Sequence, residues 1–237
     1  GDLINTDPLL DILDDYGGST RTMALRPGSP AINAGNATGA PTTDQRGFAR
    51  VGATDIGAFE SQGFTLALAS GNNQSAGTST NFASPLSVTA NYVNGGAMNS
   101  GQVTFTPPGS GASATIAGNP ATISNGTAST GTVTANAIAG GPYTVSASMP
   151  GVTAVNFSLT NTVVNTPPTI GDVFNQTINE DGTTGALAFT IGDAQTPAAS
   201  LTMSGNSSNT GLVPNTNIVF GGSGASRNVT VTPAANQ

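Results

Sequence analysis

LSVTANYVNGGAMNSGQVTFTP, Leu86–Pro107, alternates apolar and polar residues, breaks at Asn94-Gly95-Gly96, and then alternates again. A period near two marks strands with one buried face and one wet face. The same text continues outward in ATIAG (Ala114–Gly118), GTVTANAI (Gly131–Ile138), YTVSASM (Tyr143–Met149) and VNFSLTN (Val155–Asn161). Turn signals separate these runs: PPGSG at Pro107–Gly111, GNP at Gly118–Pro120, NGT at Asn125–Thr127, GGP at Gly140–Pro142 and Pro150-Gly151. All of this lies inside Ser61–Gly171, a block without Asp, Glu, Lys, Arg or His.

Six or seven such strands within about 100 residues predict a β-sandwich of immunoglobulin type. The residues from Phe64 to about Asn161 also resemble a bacterial immunoglobulin-like repeat of the kind found in large surface adhesins. The resemblance is carried by LASGNNQSAGTSTNFASPLSVTANYVNGGAMNSGQVTFTPPGSGASATIAG and by YTVSASMPGVTAVNFSLTN. It implies a stalk or spacer and no chemistry.

Composition narrows the function classes. A chain of 237 residues has room for two or three small domains. Only 7% of it is charged, against about 25% in ordinary proteins. The apolar fraction of 36% is patterned, which favours folded β-structure over disorder. The net charge of −7 gives no basic footprint for nucleic acid. With no Cys and no His, thiol and Ser-His-Asp arrangements and zinc sites of the usual kind are out of reach. All five basic residues are Arg, so no Lys–Asn isopeptide can form. No apolar run approaches the ~20 residues of a membrane helix, so no membrane insertion is expected in this segment. The chain begins without Met and stops just after a strand pattern, as a piece of a longer protein would.

Residues 1–61 differ in character. They hold eight of the twelve acids and four of the five arginines. The pieces DPLL (Asp7–Leu10), YGGSTRTMAL (Tyr16–Leu25), PGSPAINAG (Pro27–Gly35), TDQRG (Thr43–Gly47) and DIGAFE (Asp55–Glu60) resemble the C-terminal end of right-handed parallel β-helices. The relatives are polymorphic outer-membrane-type and anchor-bearing bacterial surface proteins. Thr54 stands where such proteins often carry Cys. The resemblance implies one to three closing coils and a cap, with short strands at Ser29–Ile32 and Ile56–Phe59. Asp14-Asp15 reads either as a carboxylate pair of a polysaccharide-cleaving enzyme or as a polar capping loop. Asp44, Arg46 and Asp55 read either as a catalytic or metal cluster or as an Arg–carboxylate network fixing loops.

From Thr169 onward the sequence resembles the cadherin-like repeats of large adhesins, on Pro167-Pro168, Asn179-Glu180-Asp181, Phe189–Asp193 and Arg227–Pro233. Strands are predicted at Gly185–Ile191, Ser200–Ser204, Asn217–Phe220 and Arg227–Thr232. The resemblance implies that this sandwich, residues 164–237, lacks its last strand. It also implies a Ca²⁺ site near the domain joint at Glu180, Asp181 and Asp193, with Asp172 and the Asn179 amide as helpers. Calcium takes six to eight oxygen ligands. Gln195 stands where a further acid is common, and the bland alternative is a solvated acidic loop.

The sequence therefore predicts an all-β chain: the end of a right-handed parallel β-helix (1–61), then two immunoglobulin-like β-sandwiches in tandem (62–163 and 164–237). The expected role is a structural or adhesive segment of a large bacterial cell-surface or secreted protein, and not an enzyme. The expected partners are copies of itself in a filament, completing the last domain by strand donation, and a host or matrix surface. The alternative is an accessory region of a polysaccharide-degrading β-helix enzyme.

Overall fold

The alternating runs become strands. A computed structural model describes residues 4–236, and among them there is no α-helix. The chain divides into two units, Gly1–Val163 and Val164–Gln237.

In the first unit Ser87–Tyr92, Gln102–Thr106, Ala121–Ser124, Gly140–Ser148 and Val155–Thr162 belong to one nine-stranded sheet. Gln102–Thr106 alternates strictly, burying Val103 and Phe105 while its other residues face outward. Thr127–Ser129 pairs with both Ala121–Ser124 and Ser87–Tyr92. It is reached through Asn125-Gly126, both at positive φ, the conformation of the tightest hairpin turns.

The sheet closes on itself through a single switch. Phe64–Ser70 forms one edge, antiparallel to Ser87–Tyr92. After Gly71-Asn72-Asn73 the chain re-enters at the opposite edge as Gln74–Gly77, parallel to Val155–Thr162. Gly71 has φ +86°, and a Cβ there would run into the backbone of Pro85 and Leu86. Only glycine fits such a position. The curled sheet, with the short pair Ala114–Ile116 and Val133–Ala135 beside it, encloses Leu86, Val88, Val103, Phe105, Val145, Phe157 and Leu159, all 1% exposed or less.

Residues 4–60 share that core. Where closing coils of a parallel β-helix are expected, this segment holds one antiparallel pair, Leu10–Asp14 with Thr22–Leu25. Turns and an isolated Thr43–Ala49 bridge make up much of the rest. Ser29–Ile32 and Ile56–Phe59 form no strands; they touch through an Ile56 N–H bond to the Ala31 carbonyl. Pro8, Pro27, Pro30 and Pro41 break the segment too often for longer ladders. Tyr16, Ala24, Leu25, Ala31 and Phe59 are buried in one cluster with the sheet residues.

The second unit is a four-stranded antiparallel sheet in the order Thr169–Ile170, Leu187–Gly192, Ser226–Val231, Ile218–Ser223. The strand expected at Ser200–Ser204 is absent. A 3₁₀ turn at Ala198–Ser200 leads into extended chain there, and Leu201 and Met203 pack on the sheet by their side chains alone. Its buried core is small: Phe189, Ile191 and Val229.

All three tyrosines lie in the first unit, so tyrosine fluorescence follows that unit alone during urea unfolding. Phe105 is 1% exposed and its ring lies 5.9 Å from that of Phe157. Phe105→Ala is expected to lower the stability read by tyrosine fluorescence by about 3–5 kcal/mol, while leaving unmoved the circular-dichroism change that belongs to the second unit.

Candidate functional site

The charged residues of the N-terminal segment are drawn inward. Asp44 and Arg46 form an ion pair at 2.7 Å with both side chains fully buried. One Asp44 oxygen accepts from the Arg46 and Phe48 amides, and the other from Arg46 Nε and Nη2 and the Glu60 amide. The guanidinium also donates to the Tyr16 and Glu60 carbonyls. Its carbon sits 3.6 Å from the Phe59 ring centroid and 4.8 Å from that of Phe48, a desolvated cation–π arrangement. Gly18 makes room for it, since a Cβ there would meet the Arg46 stem at 2.8 Å.

Glu60 is fully buried and extends the network. It pairs with Arg50 at 2.7 Å and accepts from the Val51 and Asp55 amides. Asp55 in turn accepts from the Asn33 and Ser61 amides. Burial alone would raise the Asp44 carboxyl, but the Glu60 amide and the Arg46 guanidinium outweigh it and hold Asp44 below its ordinary value of 3.8. For Asp55 burial prevails over the Ser61 and Asn33 amides, and its carboxyl is raised. Of the Arg–carboxylate network expected around Asp44, Arg46 and Asp55, the fold builds the Asp44–Arg46 pair; Asp55 is held by main-chain amides instead, and the second Arg pair is made by Glu60 with Arg50. These carboxylates are occupied by amides and guanidinium groups within the protein, which suits them to fixing loops rather than to proton transfer.

Asp11, 1% exposed, joins this segment to the curled sheet. One oxygen accepts from Tyr92 Oη at 2.8 Å and from the Asn99 amide at 2.9 Å; the other takes Ser100 Oγ and the Ile12 amide. Burial, and then the bond to Asp11, push the Tyr92 phenol well above its ordinary range. Around it Tyr16, Phe59 and Phe64 surround the Tyr92 ring at 5.2, 5.8 and 5.7 Å. Asp14 and Asp15 follow the capping-loop reading: Asp14 accepts from the Asp15 amide and Asn99, and Asp15 from the Gly17 amide.

A second polar centre, unforeseen in the sequence, is Asn161, 2% exposed. Its amide donates to Ser113, Asn136 and Ile138, and its oxygen accepts from Tyr143 Oη. Burial pushes the Tyr143 phenol up to about 12. An Asn at an inward position of a strand pattern is the one signal that marks it.

The acids expected to hold calcium are not assembled. Among the described residues no three acidic side chains form a group able to hold a metal ion. Asp181 has φ +55° and accepts from the Asn236 amide at 3.0 Å. Asp193 accepts from the Thr196 amide, and Thr196 with the neighbouring amides holds its carboxyl below the ordinary range. Asp172 and Glu180 are neither buried nor bonded to another side chain among the described contacts. Gln195 accepts from Thr166 instead of facing these acids. The set does not fit a metal as placed.

No protein-family model matches the chain, and no curated protein matches it. Among solved structures, surface layer protein SbsC, domains 4–9, matches with a TM-score of 0.32 and 16% identity over 73% of this chain. The chain spans 27% of that structure, a similarity that establishes neither a shared fold nor a shared role.

Asp11→Ala leaves the buried Tyr92 hydroxyl and the half-buried Asn99 amide and Ser100 hydroxyl without their acceptor, and is expected to cost about 1–3 kcal/mol. In limited proteolysis, the variant should be cut between residues 4 and 60 under conditions that leave the parent whole. The pH dependence follows from opposite shifts. The Asp44 contribution is present above 3.8 and is lost as pH falls through its lower folded value. The Asp55 contribution is full below 3.8 and is lost as pH rises through its higher folded value. Urea midpoints measured across this range should show a flatter acid limb in Asp44→Asn and a steeper net loss on acidification in Asp55→Asn.

Proposed function

We propose that this chain is a non-catalytic structural and adhesive segment of a large bacterial cell-surface or secreted protein, serving as a stalk or as the building block of an extracellular fibre. In this reading residues 62–163 are an immunoglobulin-like sandwich and residues 164–237 a cadherin-like one.

The observation that carries the reading is the parallel pair Gln74–Gly77 with Val155–Thr162. The chain leaves the first strand toward its N-terminus at Gln74 and leaves the second toward its C-terminus at Thr162. In a parallel pair these exits lie at opposite ends. Tension that reaches both strands slides them along each other and loads every inter-strand bond at once; from the N-terminal side it is carried first by residues 4–60 and the Phe64–Ser70 strand, which are themselves packed on the sheet. A hairpin pulled at its open end would unzip one bond at a time. The Thr78 amide bond to the Thr162 carbonyl and Thr162 Oγ bond to the Ala76 carbonyl reinforce the pair. The Asp11 contacts and the Tyr16–Phe59–Tyr92 cluster support the same role by anchoring residues 11–59 against the sheet.

The second unit suits assembly. Among the described residues Ile218–Ser223 is an outer strand paired on one side only, and its Val219 is 58% exposed. A strand from a neighbouring copy would cover such an edge.

Stretching single molecules by their ends tests the role. The first unit is expected to unfold in one step at high force, and Ala76→Pro, which breaks the parallel pair, should lower that force several-fold more than it lowers equilibrium stability would predict. Unfolding of the parent at forces no higher than those of an unzipped hairpin would remove the stalk reading.

A further inference from the structure

In the second unit the segment Asp172–Ile178, DVFNQTI, follows the outer strand Thr169–Ile170 and contains no helix, turn or bend. Among the described residues its amides and carbonyls bond to no other main-chain group, and the Phe174 carbonyl takes only the Gln176 side chain. A run of strand length with free backbone groups and neither Pro nor Lys is an unprotected edge. Its two large apolar side chains face water: Val173 is 40% and Phe174 82% exposed. Every other Phe of the described chain is buried or half-buried.

The C-terminal half of the same segment borders an apolar groove of about 510 Å³. Ile178, Leu187, Leu212, Val213 and Val231 line it together with Gln176. Leu212 is 43% exposed and the other four apolar side chains are half-buried, so the groove offers accessible apolar surface. Phe174 is not among the residues that line it. An exposed aromatic and an open groove thus lie on one segment, a few residues apart, and the chain covers neither.

We propose that the second unit pairs with a second copy of itself through Asp172–Ile178, antiparallel and about a two-fold axis at Asn175. In that register Phe174 lies opposite Gln176 of the other copy and diagonal to its Ile178, and Val173 lies opposite Thr177. Opposite and diagonal neighbours on one face are within reach of an aromatic ring, so each Phe174 meets the groove of the other copy. Charge selects the register. A two-fold at Gln176 would set Asp172 directly against Glu180, a like-charge pair that destabilises; the two-fold at Asn175 sets Asp172 against Ile178 and Glu180 against Ile170. A second copy fits where an unrelated strand has no such claim, because one segment carries both halves of the contact in the order that a two-fold requires. Such a contact is isologous and closes at two copies. This pairing deepens the self-assembly part of the proposed function and rests on it; the force at which the first unit unfolds does not bear on it.

The test is sedimentation of the full chain carrying Val219→Arg, which blocks the Ile218–Ser223 edge, from about 10 µM to about 1 mM, the range of a small interface. A monomer–dimer equilibrium that stops at two copies is expected. Adding Phe174→Asn, at a position facing water, should weaken it at least about tenfold. The chain has no Cys, so Asn175→Cys with oxidised glutathione should give a disulfide-linked dimer, since residues opposite each other in an antiparallel pair lie about 4.5–5.5 Å apart at Cα. Ser110→Cys, exposed in the first unit, should not. Growth beyond two copies in Val219→Arg, equal association in Phe174→Asn, or equal cross-linking of the two cysteine variants would each overturn the proposal. Assembly of the parent that Val219→Arg abolishes would also overturn it, while leaving self-assembly at the other edge. A parent that stays monomeric at 1 mM would remove both, and the stalk would still stand or fall by its unfolding force.

Discussion

Asp11 is the constraint on which the first unit depends. A carboxylate at 1% exposure is tolerable only if its lone pairs are filled, and here the donors come from two distant parts of the chain. Tyr92, Asn99 and Ser100 cannot satisfy it unless the Leu10–Asp14 strand lies against the sheet in one register. The same contact makes the sheet dependent on the segment. Without it, the Tyr92 hydroxyl and the Asn99 amide would be left without an acceptor, and Tyr16 and Phe59 would lose the ring they pack on. The polar bond fixes the register and the aromatic cluster supplies the burial.

The distribution of charge follows from how each region satisfies its backbone. The curled sheet meets its amides with ladders, so it needs no ions, and its outward positions carry Thr, Ser and Asn. Residues 4–60 have few ladders, and their turns are satisfied by carboxylates instead: Asp44, Asp55 and Glu60 each accept main-chain N–H groups. Buried charges must then be neutralised, which accounts for Arg46 and Arg50 beside them. The acid-rich segment and the uncharged block are two solutions to one requirement.

That difference also sets what the sequence could reveal. Period-two text names Ser87–Tyr92, Gln102–Thr106 and Val155–Thr162 almost to the residue, because one face of each strand is buried by its own sheet. Gln74–Gly77, QSAG, carries no such pattern; it is a strand because the switch at Gly71 delivers it to a free edge. The Asp44–Arg46 pair was one of two readings that residue type and spacing left open, and Glu60 with Arg50 was not foreseen. Asp11 and Asn161 were not legible, since their partners lie tens of residues away. Glu180, Asp181 and Asp193 are close in sequence, yet Asp181 turns to Asn236 and Asp193 to Thr196. Proximity along the chain says nothing about convergence of side chains when the intervening residues form loops rather than a shared face.

The two units also differ in how far burial is completed. In the first, a single chain crossing at Gly71–Asn73 brings both edges of the sheet into use, and many side chains reach zero exposure. The second has a sheet with two ends, and its most buried residues, Phe189, Ile191 and Val229, remain at 7–8% exposure. Leu201 and Met203 reach across from extended chain, without a ladder of their own, to cover part of that face. Apolar burial contributes about 25 cal/mol per Å² removed from water, and a core of three side chains leaves little margin over the entropy of ordering some seventy residues. Closure of a sheet and completion of a core are therefore the same event in the first unit. In the second, the sheet keeps two outer strands and its core stays thin.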